Sequence, residues 1–500
     1  MLHTVDFPPG LFQNGTQYSI KKRWFDGNLI RWINNQLQPI GGWKSFESIT
    51  ASEPIRAIFS YVDNDVSPRH IFGSADKLYH IDEGAANKDD ITPGTLNYNP
   101  GGQIGYGSGA YGSGAYGTRV PSSVEINEAD VWSFDNLGEI LVASHSGDGR
   151  LFTWDPNTPS TDAAAIAGTD APTGVIDMVV TNERHIMAFG VDGDPRLIRW
   201  ASRESTDFDV SSLTNTAGEF VLQSKGRIIK AVKVFNGILV ITDDDAHLVY
   251  FVGGSVVYAS QKVGDNCGCL SNKSVVAIPS GAVWPGKSHF WIYNGTVELL
   301  PCDLLDLFYS GNILTPQLVH GGYNEKFDEV WFFRPMAGGS QPTEAIIWSK
   351  RNKPFYWTRA EVTRHAMGSY VLSNQPFMAE DQEIFIHEQG YLDEAASRTN
   401  IYVESAVLQL GSGDRVMHAT ELYQDAVYSG SSFPYHVKFF VSQAPGKTPI
   451  EKGPYLYNTV KGYTTMRWRG RQAIMRIEQI VDKYWENGEI RIKLKEGGMR

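Results

Sequence analysis

The sequence predicts a mainly β protein, in which a β-propeller with irregular blades is joined to a smaller β-rich domain that is a sandwich or a barrel. Two observations predict the propeller: a short phrase recurs along the chain, and most apolar segments have the length and alternation of strands. In each copy of the phrase, a strand ends near a Trp, Tyr or Asp and follows a turn. One small sheet cannot bury its apolar face alone, but several sheets arranged radially can. The copies are residues 77–82, 150–155 and 196–200, with looser ones at 247–251 and 289–293.

Six sets of three predicted strands make up a propeller-like body at residues 55–395. The sets are unevenly spaced, which predicts long insertions between blades. They are residues 55–61, 70–73 and 78–81; 131–134, 140–144 and 151–154; 175–181, 185–190 and 196–200; 229–234, 238–242 and 248–252; 275–279, 289–293 and 297–300; and 329–334, 345–349 and 354–358.

Two segments flank this body. Residues 1–54 are predicted as an irregular arm with one β-hairpin, in which residues 20–25 and 29–33 flank a turn. Residues 396–500 are predicted as the separate C-terminal β-rich domain. Its predicted strands are residues 401–410, 436–442, 464–469, 473–480 and 489–495.

The composition limits the class of protein. Of the 500 residues, 42% are hydrophobic and 12% aromatic, which is enough apolar surface for two or three domains. The net charge of −12 argues against a general nucleic-acid binder, but a negative wall suits a surface past which DNA slides without sticking. Three cysteines make no disulfide framework, and the sequence has no signal peptide and no long apolar run. We therefore expect a protein that folds in a reducing cytosol and inserts in no membrane.

The usual enzyme motifs are absent from the sequence. It has no P-loop, no His-Glu-x-x-His and no Gly-x-Ser-x-Gly. Gly-x-Gly-x-x-Gly occurs twice in a Gly/Tyr-rich loop at 101–121, but without the strand and helix of a dinucleotide site. Cys267 and Cys269 are one residue apart, which is closer than the usual zinc spacing. We expect no enzyme activity and assign no catalytic residue, metal or cofactor.

Two aromatic-rich segments are candidate interfaces. Trp24, Trp32 and Trp43 lie in the arm, where they either pin the arm to the body or dock onto a neighbouring chain. The loop at 101–121 repeats Tyr-Gly-Ser-Gly-Ala, and its aromatic rings offer contact area at a low entropy cost. We expect an exposed loop that is either mobile or laid on a partner. Its tyrosines are Tyr106, Tyr111 and Tyr116.

The C-terminal end is basic on an otherwise acidic protein. Alternation within residues 464–469 places Arg467 and Arg469 on one face of a strand. Together with Arg471, they form either a solvated sheet face or an electrostatic docking site for an acidic partner or another copy of the chain.

The densest acidic run is predicted either to line a lumen or to form a solvated turn. It lacks the alternating ligands and central glycine of a calcium loop. Its residues are Asp243, Asp244 and Asp245.

Phrases spread over most of the chain resemble, in their order, a family of phage tail proteins. They include Pro-Pro-Gly at 8–10, Asn-Gly-Thr at 14–16, Arg-Trp-Phe-Asp at 23–26, Arg-Trp at 31–32, Gly-Gly-Trp at 41–43, the Tyr-Gly repeats, Trp-Ser-Phe-Asp-Asn-Leu-Gly-Glu at 132–139, Val-Trp-Pro-Gly at 283–286, Asn-Gly at 294–295, Leu-Pro-Cys at 300–302, Glu-Val-Trp-Phe-Phe at 329–333 and Leu-Lys-Glu-Gly-Gly-Met-Arg at 494–500. The family is that of the tail nozzle, or packaged-DNA-stabilising, proteins of short-tailed bacteriophages.

The resemblance implies a structural protein of the virion tail, made and assembled in the cytoplasm of the bacterial host. Such a subunit forms a homo-hexameric ring below the portal and the adaptor (head-tail connector). The ring prolongs the channel for double-stranded DNA, helps to retain the packaged genome, and offers attachment points for tail fibre, spike or needle proteins. The charge fits this expectation, because six copies would carry roughly −70 in total and a negative lumen passes DNA without binding it.

One alternative belongs to another functional class. A propeller-type tail protein could degrade polysaccharide or bind a host glycan, with converging carboxylates in the channel as the expected signal. A host-type propeller scaffold is disfavoured, because the Gly-His and Trp-Asp repeat is missing apart from a single Trp-Asp at 154–155.

Overall fold

The computed structural model describes residues 1–83, 87–97, 130–210, 214–254, 256–310, 316–336, 339, 341–351, 353–393, 396–409 and 415–497. Within these ranges the strands form seven four-stranded sheets and two six-stranded sheets, all antiparallel. The helical elements described are one short α-helix, Leu305–Tyr309, and one 3-10 turn, Pro316–Leu318.

The seven four-stranded sheets are the blades of a propeller, each running from an innermost to an outermost strand. In that order, blade 1 is Ile55–Val62, Pro68–Ser74, Leu78–Asp82 and Lys88–Asp90; blade 2 is Trp132–Leu137, Ile140–His145, Leu151–Trp154 and Ala164–Ala165; blade 3 is Asp177–Val180, Ile186–Phe189, Leu197–Trp200 and Gly218–Val221; blade 4 is Ile228–Val234, Gly237–Thr242, Ala246–Phe251 and Tyr258–Gly264. Blade 5 is Val276–Ile278, Gly281–Pro285, Phe290–Tyr293 and Val297–Leu300; blade 6 is His320–Asn324, Glu329–Pro335, Pro342–Ser349 and Tyr356–Glu361; blade 7 is Ala366–Ser369, Pro376–Glu380, Glu383–His387 and Trp43–Ser48.

The blades close into a ring. The innermost strand of each blade contacts the innermost strand of the next, and the innermost strand of blade 7 contacts that of blade 1. Closure uses both ends of the propeller, because Trp43–Ser48 pairs with Glu383–His387 and becomes the outermost strand of the last blade. The predicted β-propeller is therefore confirmed, with seven blades. The predicted sets of strands missed blade 7, whose fourth strand lies more than 300 residues away in the chain.

The two six-stranded sheets form a sandwich beside the propeller. Sheet A is Ile30–Ile33, Gln36–Pro39, Trp485–Glu496, Met417–Tyr428 and Thr464–Gly470, with Leu2–Val5 also paired to Trp485–Glu496; sheet B is Trp24–Asn28, Tyr402–Ser405, Gln472–Gln479, Tyr435–Ser442 and Ile450–Leu456, with Leu408–Gln409 also paired to Gln472–Gln479. Buried side chains of both sheets share one core, in which the rings of Phe439 and Trp468 lie 5.2 Å apart. The smaller β-rich domain is thus a sandwich.

The hairpin predicted within residues 1–54 is wrong. Trp24–Asn28 pairs with Tyr402–Ser405 in sheet B, whereas Ile30–Ile33 pairs with Gln36–Pro39 in sheet A. Leu29, with a φ of 54°, separates the two strands and directs them into different sheets. Residues 1–54 therefore supply strands to both domains instead of forming a separate arm.

The turn between the first two strands of blades 4 and 5 depends on glycine. Gly237 and Gly281 begin the second strand of their blades with φ values of 149° and 145°. A side chain on either residue would also overlap a carbonyl oxygen of the neighbouring strand, that of Val249 or Tyr293. At these positions the tight turn and the close approach of the next strand both require a residue without Cβ.

Candidate functional site: the propeller channel and its mouth

The three tryptophans predicted as a candidate interface are buried within this chain. Trp24, Trp32 and Trp43 have exposed fractions of 6%, 2% and 8%. The ring of Trp24 lies 5.2 Å from that of Phe7, and the ring of Trp32 lies 5.4 Å from that of Tyr356 in blade 6. These contacts fit the interpretation in which the three tryptophans pin the N-terminal segment to the body. Because the rings are buried, they offer no surface to a neighbouring chain.

Trp43 joins the N-terminal segment to the last blade. Its ring stacks on that of His387 at 5.1 Å, and its Nε1 donates a hydrogen bond to Asp393. The guanidinium groups of Arg364 and Arg398 lie 5.0 and 5.5 Å from the same ring, within the range of cation–π attraction. The side chain thus stabilises the closure of the ring.

The tyrosines of the Gly/Tyr-rich loop fall outside the described residues. Tyr106, Tyr111 and Tyr116 lie between the described residues 97 and 130, so their proposed interface role stays a prediction.

The basic C-terminal strand has the predicted alternation. In Thr464–Gly470, Met466 and Trp468 are buried, whereas Arg467 and Arg469 are exposed. This strand lies at the edge of sheet A, and in the described part of the chain neither arginine has an ion-pair partner. Arg471 differs, since it is only half-exposed and makes interactions of its own. Arg467 and Arg469, at the edge of the sandwich, are therefore available for a partner.

The acidic run forms the turn between the second and third strands of blade 4. Asp245 is 1% exposed and accepts hydrogen bonds from Ser224 Oγ at 2.5 Å and Thr242 Oγ1 at 2.7 Å. Burial alone would raise the pKa of Asp245, but these bonds and the nearby Lys262 ammonium lower it to about 2. Asp245 is therefore a buried, structural carboxylate and lines no lumen.

The other two carboxylates of the run lie at the surface of the turn. Asp243 is half-buried, and its Oδ1 accepts a hydrogen bond from the backbone N–H of Arg227 at 3.0 Å. The backbone carbonyl of Asp244 accepts a hydrogen bond from the N–H of Cys267 at 2.8 Å. The described residues contain no cluster of His, Cys, Asp and Glu that could hold a metal ion.

Side chains cross the channel around which the seven blades are arranged. Lys273, just before blade 5, donates from Nζ to the backbone carbonyl of Trp132 in blade 2, on the opposite side of the ring. Lys233 Nζ of blade 4 lies 2.7 Å from Asp135 Oδ2 of blade 2. The first contact spans the channel, and the second joins two blades that are separated by blade 3.

Carboxylates on the inner strands also join neighbouring blades. Asp177 of blade 3 accepts a hydrogen bond from the N–H of Ala231 at 2.8 Å and pairs with Lys230 Nζ at 3.0 Å, both in blade 4.

Burial and the neighbouring Lys230 ammonium lower the pKa of Lys273 to about 7. Lys273 is thus only partly charged at neutral pH.

Two histidines add no charge to the channel at neutral pH. Burial lowers the pKa of His320 to about 3 and that of His365 to about 4, and the Arg56 guanidinium contributes to both shifts. Arg56 itself has no hydrogen-bond or ion-pair partner among the described residues, and burial lowers its pKa. Arg56 is therefore a partly desolvated cation, and the carboxylates of Glu53 and Asp381 partly offset the effect of burial on its pKa.

A cavity of about 290 Å³ opens where the inner strands of blades 2, 4, 5 and 6 begin. We call it the mouth cavity. Its polar and charged lining residues include Arg227, Asp243, Asn272, Lys273, Lys287 and Gln317.

A second cavity lies at the opposite end of blades 3 and 4, with a volume of about 550 Å³. Among the described residues, one carboxylate lines each cavity: Glu183 in the second cavity and Asp243 in the mouth cavity. A pair of carboxylates flanking one bond, as glycoside hydrolysis uses, is therefore not assembled in either cavity by the described residues.

The three cysteines are buried and unlinked. Burial raises the pKa of Cys267 to about 12 and also raises that of Cys302. Because metals and electrophiles react with the thiolate, the protonated thiols of Cys267 and Cys302 are poor ligands and poor nucleophiles. Within the described ranges, no helix is both long and apolar enough to cross a membrane.

Of the charged and polar residues that line the mouth cavity, sequence reasoning named only Asp243. Asn272, Lys273 and Gln317 lie in connections between blades, where polar residues are ordinary. The signal that distinguishes them is their position, directly before the first strand of a blade, since all first strands converge on the channel.

Comparison with known proteins finds likeness in fold only. No family model matches the chain, and no curated protein matches it. The chain is similar to the Neurospora crassa Pan2 WD40 domain, with 8% identity, a TM-score of 0.43, and coverage of 72% of this chain and 98% of that one. It is similar to the Myceliophteria thermophila Cps50 (Swd1) β-propeller domain, with 10% identity, a TM-score of 0.41, and coverage of 69% and 99%. For a streptogramin B lyase structure the identity is 10%, the TM-score 0.40, and the coverage 68% and 96%.

Proposed function

We propose that this chain is a structural subunit of a virion tail, one copy of a homo-hexameric nozzle ring of a short-tailed bacteriophage. The resemblance of its sequence phrases suggests the family. The structural observation that supports assembly is the separation of charge between the two domains. Residues 43–395, which include all seven blades, have 25 Lys and Arg against 44 Asp and Glu; residues 1–42 and 396–500, which form the sandwich, have 19 against 12.

This separation favours head-to-tail contact between copies. A ring needs two different and complementary patches on each subunit. The unpaired Arg467 and Arg469 at the edge of the sandwich supply a basic patch, and the acidic propeller of the next copy supplies its complement. Such charges steer association and fix its orientation.

The crossed channel decides which route DNA would take in this proposal. Lys273, just before blade 5, reaches across the channel to the backbone carbonyl of Trp132 in blade 2. A duplex therefore has to pass between the subunits of the ring and not through a propeller. The acidic propeller surfaces would line that passage and let DNA slide without counterion release.

The neighbours of the ring follow from the same proposal. The adaptor or head-tail connector would lie on one side, and tail fibre, spike or needle proteins on the other. The chain would carry no catalytic site, and its role would be to extend the DNA channel, help retain the genome and pass DNA during ejection.

The mass of the purified assembly tests the proposal. Native mass spectrometry and images down the axis should show six copies around an open passage. Combining Arg467→Glu with Arg469→Glu should lower the assembled fraction at least tenfold while the monomer keeps its thermal midpoint. Lys447→Glu with Lys461→Glu is the matched control, because these lysines are also exposed on the sandwich but lie outside the basic strand. A chain that stays monomeric at all concentrations, with or without its adaptor, would dismiss the ring.

A further inference from the structure

The mouth cavity contains a buried acceptor that the fold leaves unused. Asn272 is 4% exposed, and its Nδ2 donates to the backbone carbonyls of Ile176 at 3.3 Å and Ile229 at 3.1 Å. Because two carbonyls fix the amide nitrogen, the other atom must be the oxygen. Asn272 Oδ1 is buried and has no partner in the described part of the chain. A buried polar atom without a partner costs stability, which a ligand donor would recover.

A second acceptor lines the same cavity. Gln317 Oε1 is also buried without a hydrogen-bond partner among the described residues. Amide oxygens accept hydrogen bonds from hydroxyl and amine donors, so the pair suits a ligand that carries such donors.

The charged groups of the cavity favour an anion. Lys273 and Lys287 line it, and Lys287 has no ion-pair partner in the ranges described. Asp243 is the opposing carboxylate, and it already accepts a hydrogen bond from the backbone N–H of Arg227. Lys273 Nζ already donates to the backbone carbonyl of Trp132. The exposed Lys287 therefore supplies the charge at the rim of the cavity that attracts a negative group.

We propose that the mouth cavity binds a small hydroxylated anion of the sugar-acid class. The acid group would pair with Lys287, and hydroxyl groups would donate to Asn272 Oδ1 and Gln317 Oε1. The volume of about 290 Å³ admits a ligand of the size of one sugar residue and excludes a macromolecule. This inference goes beyond the proposed ring and does not depend on it, since every lining residue belongs to one propeller.

Calorimetric titration of the full chain with D-glucuronate tests the proposal. D-glucose, which has hydroxyl groups but no charge, and inorganic phosphate, which has charge but a different shape and fewer donors, are the comparison ligands. Glucuronate should bind at least tenfold more tightly than either. Lys287→Gln and Gln317→Leu should each weaken glucuronate binding at least fivefold.

Lys225→Gln is the matched control, because Lys225 is an exposed lysine near Arg227 that does not line the cavity. This variant should bind glucuronate as the parent does, and all variants should keep the thermal midpoint of the parent. Absence of glucuronate binding, equal binding of phosphate or glucose, or binding that Lys287→Gln and Gln317→Leu leave unchanged would each overturn the proposal.

Discussion

The Nη2 atom of Arg31 lies 2.9 Å from Oε2 of Glu329, and both side chains are 1% exposed. Arg31 belongs to sheet A of the sandwich and Glu329 to blade 6, so the pair joins the two domains. Arg31 Nη1 also donates to Glu388, a residue after the third strand of blade 7, at 2.9 Å. The guanidinium lies 3.7 Å above the ring of Phe327. The two domains are thus connected by a buried ionic network.

The network gives the first prediction. Arg31→Met removes the cation and leaves the carboxylates of Glu329 and Glu388 close together in a buried space. Breaking a buried ion pair in this way costs about 3–5 kcal/mol. Urea unfolding should therefore show a large loss in the free energy of unfolding. Arg491→Met is the control, because its ion pair with Glu489 is exposed and screened by solvent, so its loss should change the free energy of unfolding little. Equal losses in the two variants would contradict the prediction.

The second prediction concerns the pH dependence of stability. Burial and the neighbouring Glu388 carboxylate raise the pKa of Glu329 from 4.5 to about 7, although Arg31 opposes the shift. Between these values the folded protein holds a proton that the unfolded chain has released, so this group makes the protein less stable as the pH rises from 4.5 to 7. Glu329→Gln should flatten that decline in the thermal midpoint. An unchanged slope would show that another group is responsible.

The third prediction concerns a group that makes the protein more stable, not less stable, as the pH rises. The pKa of Lys273 is lowered by burial from 10.5 to about 7, so between these values the unfolded chain binds a proton that the folded protein lacks. Stability should therefore rise with pH through this interval because of this group. Lys273→Met should reduce the rise in the thermal midpoint between pH 7 and 10. The exposed Lys225→Met is the control, and a parental slope in Lys273→Met would contradict the assignment.

The fourth prediction tests the turn of blade 5. Gly281→Ala combines a φ of 145° with an overlap between the new Cβ and the carbonyl oxygen of Tyr293. We expect a loss of more than about 2 kcal/mol in the free energy of unfolding, since both strain and steric overlap contribute. Gly193→Ala has a φ of 83° but open space around its Cβ, so it should cost only about 1 kcal/mol. Similar losses would show that the overlap is relieved by movement of the neighbouring strand.

Local sequence patterns predicted where the strands lie better than they predicted which strands pair with each other. Alternation identified Thr464–Gly470 and the exposure of Arg467 and Arg469, because side chains on a strand point to opposite faces by geometry alone. The same apolar pattern in residues 20–33 suggested a hairpin. Pairing was decided instead by strands at Tyr402–Ser405 and Gln36–Pro39, of which the first is almost 400 residues away.

The sequence by itself determined a β-rich chain with repeated short sheets and a basic C-terminal strand, because these depend on residue type and on a period of two. It left open whether the tryptophans of the first residues are buried or exposed, and the tertiary structure buries them. Only the tertiary structure decided that blade 7 is completed by Trp43–Ser48, that Arg31 meets Glu329, and that Lys273 reaches across the channel to Trp132. The last two contacts join residues 298 and 141 positions apart. Such contacts form only when the propeller ring closes and the first strands of the seven blades converge. A local sequence pattern does not indicate which side chains then come into contact.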